Sequence, residues 1–342
     1  MNDPTMKKTR LITAVLITAV LSLAAAVPFA GALTVHAAEY EPFYRLDSSH
    51  PTAGLEKLKR VRLLTEGQYT LQALSEKDLK DPSFSPSLEG LDDLRISGSP
   101  QYTEKQFREL AERIRACAAG DPVYVIDLRQ ESHFFVNGMP VSVYGPDNTI
   151  NRGLGLAEVE ADEQAHMDEI RRNGLTVYSY GSGSKKHNGT EIREVSCMTE
   201  RELVESEGFR YLRLPATDHE WPAPELIDRF IEFVSQADMD HIWLHFHCLA
   251  GQGRTGVYMA IYDMMKNPGV AVEDISLRQA MAGSTYILKY RKSGSDERKI
   301  DRARKLLLMD TYLRENRADG YQTKWSEWLA EREGMISGLP AA

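Results

Sequence analysis

The sequence feature that most constrains the fold is a Gly-rich turn between an apolar strand and a helix. Residues 242–247 form an apolar run typical of a buried strand, and a helical pattern extends from about Thr255 to Lys266. The turn between them reads His-Cys-Leu-Ala-Gly-Gln-Gly-Arg-Thr, from His247 to Thr255. A short strand–turn–helix unit of this kind is typical of a sheet whose parallel strands alternate with helices.

Segments of the same two kinds lie on both sides of this unit. We predict strands at 123–126 and 208–214, and helices at 103–118, 224–237, 272–282 and 294–316. This alternation predicts an α/β fold whose core has a largely parallel central sheet flanked by helices. Residues 38–100 show weak periodicity and are rich in Pro, Ser, Asp and Gly, so we expect a loop-dominated segment there.

Residues from about 132 to 200 follow a mainly β pattern. Apolar and polar residues alternate from Phe134 to Tyr144 around Asn137-Gly138, which is a strong hairpin signal. Further strand candidates at 175–180 and 191–196 flank a polar loop, after an acidic helix at 156–172. We therefore expect a small β-barrel-like domain at 132–200, inserted into a core made of 38–131 and 201–342.

The residue types in the turn suit the attack of a thiolate on a phosphate ester. A cysteine is nucleophilic as its thiolate, which the N-terminus of the following helix would stabilise together with phosphate oxygens. Gly251 and Gly253 allow backbone N–H groups to point inward. The planar fork of Arg254 can hold two phosphate oxygens, and Thr255 could stabilise the departing thiolate. We predict Cys248 as the nucleophile and Arg254 as the phosphate clamp. The other predicted phosphate contacts in the turn are Leu249, Ala250, Gly251, Gln252, Gly253 and Thr255.

A proton donor for the leaving group is predicted upstream, in the segment Ala216–Pro222. This segment follows a strand and precedes a helix, so it should lie at the same sheet edge as the cysteine turn. Asp218 would protonate the leaving oxygen and then deprotonate the water that attacks the phosphocysteine. Glu220 is the alternative acid, and a helix-capping or turn role is the alternative for Asp218.

The chain is acidic, with 41 Lys and Arg against 50 Asp and Glu, a formal net charge of −9. This balance argues against general nucleic-acid binding, which needs a basic surface. An anionic substrate would need a local group of cations, because the overall field repels it.

The N-terminus has the three-part pattern of a secretory signal peptide. A short basic region is followed by an apolar run from Leu11 to Leu33 and by small residues around Ala37. We expect cleavage after residues 1–37 and an exported protein, periplasmic or secreted, without stable membrane insertion. A retained membrane anchor is the alternative. Cleavage would remove three basic residues and one acidic residue, which leaves a formal net charge of −11.

The three cysteines exclude a disulfide-rich scaffold and leave a reactive thiol as the expected role of at least one. Cys248 lies in the turn. Cys117 and Cys197 are either inert thiols or a pair.

At these residues the sequence resembles the protein-tyrosine-phosphatase superfamily and, more narrowly, the bacterial protein-tyrosine-phosphatase-like (PTP-like) phytases. The narrower resemblance rests on five segments. They are Gly90–Ser99, Asp127–His133, Ala216–Pro222, Leu244–Cys248 and Glu315–Thr323. The sequence departs from the family pattern at Leu249, Gln252 and Gly256, which shape the catalytic turn.

The resemblance implies stepwise removal of phosphates from myo-inositol hexakisphosphate, a small polyanion, without a metal or cofactor. It also implies that His219 and Asp127 contribute to the pocket and that Arg45 contacts a phosphate. Further cations expected around the substrate are Lys185, Lys186, Arg298, Arg302 and Lys305; the last three share one face of the final long helix.

Two other functions stay open from the sequence. One is a phosphatase of phosphotyrosine or of phosphoinositide lipids. The other is a non-catalytic inositol-phosphate binding module, although such modules typically lack the cysteine or the acid, and both are present here.

Overall fold

The computed structural model describes residues 41–75, 85–179, 186, 188–289 and 296–336. The predicted signal peptide and Lys185 lie outside these residues. The strands are β1 (Phe43–Leu46), β2 (Arg62–Leu64), β3 (Ile96–Ser99), β4 (Val123–Arg129), β5 (His133–Val136), β6 (Met139–Tyr144), β7 (Leu175–Tyr178), β8 (Thr190–Ile192), β9 (Cys197–Met198), β10 (Arg210–Ala216) and β11 (Trp243–His247). The helices are α1 (Glu104–Ala118), α2 (Leu156–Asn173), α3 (Glu200–Ser206), α4 (Pro224–Gln236), α5 (Gly253–Lys266), α6 (Val272–Met281), α7 (Glu297–Asn316) and α8 (Trp325–Ile336).

The central sheet has the strand order β10-β4-β11-β3-β2. The first four strands run parallel and β2 is antiparallel at the edge. Because parallel strands end at the same edge, the residues that follow β3, β4, β10 and β11 meet there. The predicted α/β core with a largely parallel sheet is therefore confirmed.

Helices cover both faces of this sheet, as the alternation along its strands requires. On β4, Val123 and Val125 pack with α1 and α3, whereas Ile126 and Leu128 belong to the larger core with α4, α5, α7 and α8. On α1, Thr103 caps the helix by accepting a hydrogen bond from the Gln106 backbone N–H, whose side chain accepts one in return.

A second sheet has the strand order β8-β7-β1-β6-β5-β9. The hairpin predicted at Asn137-Gly138 is present, and both residues have a positive φ, as a tight two-residue turn needs. In the described residues β8 and β9 form the two edges of an open sheet. The strand predicted at 191–196 is instead the two short strands β8 and β9.

Residues 38–100 contain more strand than the sequence analysis predicts. They provide β2 and β3 to the central sheet, and β1 to the second sheet, where it pairs with β6 and β7. These strands are only three or four residues long, too short for a periodic signal. The second sheet therefore draws a strand from outside 132–200, and the proposed domain boundaries stay a prediction.

Cys117 and Cys197 are both free and do not pair with each other. Cys117 packs on the α1 side of the central sheet, and Cys197 packs in the core of the second sheet.

In the described part of the chain, no helix combines the length and apolar character that crossing a membrane requires.

Candidate active site

The turn after β11 places Cys248 at the N-terminus of α5, at the edge where the parallel strands end. Its thiol is almost fully buried, and the Thr255 hydroxyl lies 3.2 Å from Sγ. Gly251 has a φ of +68°, and a Cβ there would lie 2.5 Å from the Pro100 nitrogen at the end of β3. Only glycine fits this conformation and this contact. The Thr255 hydroxyl and the helix N-terminus are therefore available to stabilise a thiolate.

Arg254 lies beneath the turn, with its guanidinium held by two carboxylates. It donates to both oxygens of Glu131, at 2.6 and 3.0 Å, and its Nη2 lies 3.3 Å from Asp218 Oδ2. Burial lowers the pKa of Arg254, but Asp218 and Glu131 outweigh it and raise this pKa well above its ordinary value. Arg254 is therefore a fixed cation whose direction is set by Glu131.

Asp218 faces the turn from the loop after β10. Its Oδ2 accepts a hydrogen bond from Asn148 Nδ2 at 3.1 Å, and its Oδ1 accepts one from the His219 backbone N–H at 3.0 Å. The alternative acid, Glu220, forms an ion pair with Arg152 on the surface. His219 has a φ of +64° and an exposed side chain whose Nε2 lies 4.0 Å from Asp218. The geometry thus favours Asp218 over Glu220 as the group near Cys248 and Arg254.

His247 and Asp127 form a buried support behind the turn. His247 Nε2 lies 2.9 Å from Glu200 Oε1 on α3, and 3.8 Å from Asp127 Oδ1. Asp127 has no exposed surface and accepts hydrogen bonds from the Tyr211 hydroxyl and the Arg129 backbone N–H. Asp127 thus contacts the site through His247, and its predicted contribution to the pocket stays a prediction. Its place on β4, opposite His247 on β11, buries it inside the sheet.

Glu131 is a functional residue that the sequence analysis did not single out. Besides Arg254, it accepts hydrogen bonds from Arg129 Nε and Asn148 Nδ2, both at 2.8 Å. Burial raises the pKa of Glu131, but Arg254 and Arg129 outweigh it and hold this pKa far below its ordinary value. Glu131 could have been predicted from its position. It follows a parallel strand, at the sheet edge where the cysteine turn lies.

Arg62 is a second residue that the sequence analysis missed. It is buried on β2, and its Nη1 donates to the Gly251 carbonyl in the catalytic turn at 3.0 Å. Its Nη2 donates to the Ser284 hydroxyl, also at 3.0 Å. Burial lowers the pKa of Arg62 to about 10, although Cys248 opposes this shift. A Cβ on Gly256 would lie 2.8 Å from Ser284 Cβ. The glycine at this position, a departure from the family pattern, therefore leaves space for Ser284, which accepts the hydrogen bond from Arg62.

The predicted cations differ in how close they lie to the turn. Arg302 on α7 is buried, and its Nη1 lies 3.5 Å from the position that a Cβ on Gly253 would take. Burial lowers the pKa of Arg302, while Asp218 opposes this shift. In the described residues Arg302 forms no ion pair, so its charge is available to a ligand at the turn.

The other predicted cations are paired with carboxylates. Arg298 pairs with Asp296, Lys305 with Asp301, and Lys186 with Glu41. Arg45 is buried between Asp47 and the ring of Tyr144. Their contacts with a substrate stay predictions.

Asp127, His133 and Glu200 form a compact cluster whose side chains are of types that can ligate a metal ion. Their ligand atoms all lie within 4.8 Å of one another. Burial and Arg129 lower the pKa of His133, but Asp127 and its hydrogen bond raise it to about 9 overall. His133 Nε2 lies 3.0 Å from Glu200 Oε2 and 3.3 Å from Asp127 Oδ2, so the three side chains form a buried network of charged and polar groups.

Comparison with known proteins agrees with this geometry. The family model for PTP-like phytases, described as "Inositol hexakisphosphate", matches residues 126–266, which include Glu131, Asp218 and the whole catalytic turn. A tandemly repeated PTP-like phytase from Mitsuokella multacida shares 35% identity, with a TM-score of 0.77. The match covers 85% of this chain and 50% of that one.

Two further structures and one curated protein are similar. The M. multacida PTP-like myo-inositol phosphatase in complex with myo-inositol-(1,3,4,5)-tetrakisphosphate has 35% identity and a TM-score of 0.74, with 85% of this chain and 50% of that one covered. A PTP-like phytase from Bdellovibrio bacteriovorus has 26% identity and a TM-score of 0.62, with 85% and 95% covered. Effector protein hopD2 of Pseudomonas syringae pv. tomato is 32% identical over 250 residues, which are 71% of this chain and 53% of hopD2.

The chain thus spans about half the length of hopD2 and of the Mitsuokella protein. The family model, the solved structures and the cysteine turn with its supporting residues agree with one another. Together they show that residues 126–266 match the PTP-like phytase family and that the chain is similar in fold to solved PTP-like phytases.

Proposed function

We propose that the chain is a phosphatase that removes phosphate groups stepwise from an inositol polyphosphate through a phosphocysteine intermediate. The observation that carries this proposal is the convergence of Cys248, Arg254 and Asp218 at one sheet edge. The thiol is 3.2 Å from a hydroxyl donor, and the guanidinium is 3.3 Å from the acid. These are a nucleophile, a cation for the transferring group and an acid–base group.

The two steps follow from these groups. In the first, the Cys248 thiolate attacks phosphorus, the P–O ester bond breaks, and protonated Asp218 gives its proton to the leaving alkoxide. In the second, a water attacks the phosphocysteine, Asp218 takes a proton from this water, and the P–S bond breaks. Arg254 and the N-terminus of α5 stabilise the equatorial oxygens in both steps, and Thr255 stabilises the departing thiolate.

The substrate class is supported by the family and by the charges near the turn. One related structure holds an inositol tetrakisphosphate. In an acidic chain, the unpaired Arg302 beside Gly253 provides positive charge beyond Arg254 for a substrate with several phosphates.

The test is phosphate release from myo-inositol hexakisphosphate with EDTA present. Every step uses groups of the chain itself, so we expect release to persist in EDTA and to be lost in Cys248→Ser. Cys117→Ser is the matched control, because Cys117 is a free thiol on α1. Release that survives Cys248→Ser would contradict the mechanism.

A comparison of substrates tests the substrate class separately. We expect a higher kcat/KM for inositol hexakisphosphate than for a phosphotyrosine peptide. A preference for the peptide would overturn the substrate class while leaving the mechanism intact. Tight binding of inositol hexakisphosphate without turnover would instead indicate a binding module.

A further inference from the structure

A second concave site lies beside the catalytic turn. It is a cavity of about 160 Å³ between the segment 47–60 and the turn. Leu249 of the turn, with Pro100 and Gln101, lines one side of it. Leu249 directly follows Cys248, so this cavity and the phosphate site share one stretch of backbone.

The opposite side of this cavity is basic. Lys57, Lys59 and Arg60 line it, together with His50. All four side chains are exposed, and among the residues that the structure describes none of them forms an ion pair. The cations Arg298 and Lys305, by contrast, are each paired with a carboxylate. Three cations within four residues of the chain therefore present positive charge to this cavity, which favours an anion there.

The acidic residue that lines this cavity forms no ion pair with these cations. Asp47 is the one carboxylate among the lining residues, and its oxygens accept hydrogen bonds from Arg45, Arg129 and Ser142. These arginines hold the pKa of Asp47 below its ordinary value although burial raises it. Glu109 lies on the α1 side, where it accepts a hydrogen bond from the Leu55 backbone N–H.

Arg60 connects the basic side of the cavity to the catalytic turn. Its Nη1 donates to Gln252 Oε1 at 2.7 Å. Gln252 and Leu249 are two positions where this turn departs from the family pattern. An uncharged Leu249 adds no negative charge to the cavity, and Gln252 accepts a hydrogen bond from one of its cations. Both residues therefore suit an anion on this side of the turn.

We propose that this cavity is an oxyanion site that takes a phosphate group beside the catalytic one. The inference rests on the proposed function for one of its two sources, a second phosphate of the bound inositol polyphosphate. The other source is free inorganic phosphate. Both would be held by the Lys57 and Lys59 ammonium groups, with Arg60 between them and the turn.

The experiment neutralises two of the cations and compares two substrates. Lys57→Gln/Lys59→Gln is measured on myo-inositol hexakisphosphate and on p-nitrophenyl phosphate, which has only one phosphate. The matched control is Arg113→Gln/Arg172→Gln, which removes two exposed and unpaired cations from α1 and α2. Binding of inorganic phosphate and of inositol hexakisphosphate is measured by calorimetry in the Cys248→Ser background, which needs no turnover.

If the cavity takes a second substrate phosphate, the ratio of kcat/KM for inositol hexakisphosphate to that for p-nitrophenyl phosphate falls roughly tenfold. This fall is largest at low salt, and the control leaves the ratio unchanged. If it takes free phosphate, the ratio stays the same and one phosphate-binding event is lost in calorimetry. The proposal is overturned if the two double variants have the same kcat/KM ratio and bind phosphate equally in calorimetry.

Failure of the proposed function would look different. A chain that does not hydrolyse inositol hexakisphosphate would still show in calorimetry whether Lys57 and Lys59 hold an oxyanion. If the chain hydrolyses inositol hexakisphosphate and the two double variants do not differ in rate ratio or in phosphate binding, only the proposed oxyanion site is overturned.

Discussion

Glu131→Gln tests whether the buried carboxylate sets the position of the catalytic arginine. The substitution keeps the size of the side chain and removes its charge. Glu131 now receives two hydrogen bonds from Arg254, at 2.6 and 3.0 Å, and one from Arg129 at 2.8 Å. A glutamine offers one oxygen, and its NH₂ group would face a guanidinium N–H.

The expected loss of stability follows from these contacts. Removal of one partner from a buried ion pair costs about 3–5 kcal/mol, because the other charge stays buried. Arg129 keeps Asp47 at 2.8 Å and Arg254 keeps Asp218 at 3.3 Å, so we expect about 3 kcal/mol, the lower end. This is a large part of the 5–15 kcal/mol typical of a folded protein. We also expect kcat/KM to fall roughly 10²-fold, as when a preorganised donor is lost.

Urea unfolding followed by tryptophan fluorescence measures the first effect, and initial rates on p-nitrophenyl phosphate measure the second. Glu220→Gln is the control, since its ion pair with Arg152 is on the surface and should be worth less than about 1 kcal/mol. Because the pKa of Glu131 is lowered in the folded state, its contribution is present above the unfolded pKa of about 4.3. The contribution is lost progressively as pH falls from that value through the lower pKa of folded Glu131.

The reasoning would be refuted if Glu131→Gln and Glu220→Gln unfolded at the same urea concentration at pH 7 and had the same kcat/KM. If Glu131→Gln fails to fold, Glu131→Asp keeps the charge but draws it back from Arg254. We then expect a folded protein with a lowered kcat/KM.

Three further substitutions test other parts of the site. Asp218→Asn should lower kcat roughly 10²–10⁴-fold on inositol phosphates, whose alkoxide leaving group needs a proton, and much less on p-nitrophenyl phosphate; equal losses on both would contradict its role as acid. His133→Gln should destabilise the protein below its unfolded pKa of about 6.5, and this difference should vanish in urea melts as pH rises through about 9, the raised pKa of folded His133. Arg62→Met should keep the packing but remove the hydrogen bond to the Gly251 carbonyl, so kcat/KM on p-nitrophenyl phosphate should fall; an unchanged kcat/KM would show that this contact does not position the turn.

The catalytic turn could be predicted from the sequence because its chemistry is local. Cys248, Gly251 and Arg254 lie within seven residues, between an apolar run that predicts the strand and a periodic pattern that predicts the helix. The loop of Asp218 could be placed at the same edge because parallel strands end together. The hairpin at Asn137-Gly138 was predictable for a similar reason, since two residues with positive φ define its turn.

The supporting residues could not be found in this way because their partners are distant in sequence. Arg62 and Gly251 are 189 residues apart, and Arg254 and Glu131 are 123 apart. The segment Asp127–His133 does lie beside the turn. The position of each residue relative to the end of β4 decides whether its side chain reaches the turn. Asp127 lies within β4 and is buried, whereas Glu131 lies beyond the end of the strand and reaches Arg254.

The buried charges also show what the second sheet contributes to the site. Asp47 follows β1 of that sheet, accepts a hydrogen bond from Ser142 on β6, and pairs with Arg129 at the end of β4. Arg129 pairs with Glu131, which holds Arg254. Buried ion pairs of this kind are weak evidence for stability, because desolvation offsets their attraction, but a continuous chain of them permits few alternative arrangements. The second sheet is therefore connected to the Arg254 guanidinium through a series of buried ion pairs. In this way β1, a short strand that shows no periodic signal, is linked to the side chain that we expect to bind phosphate.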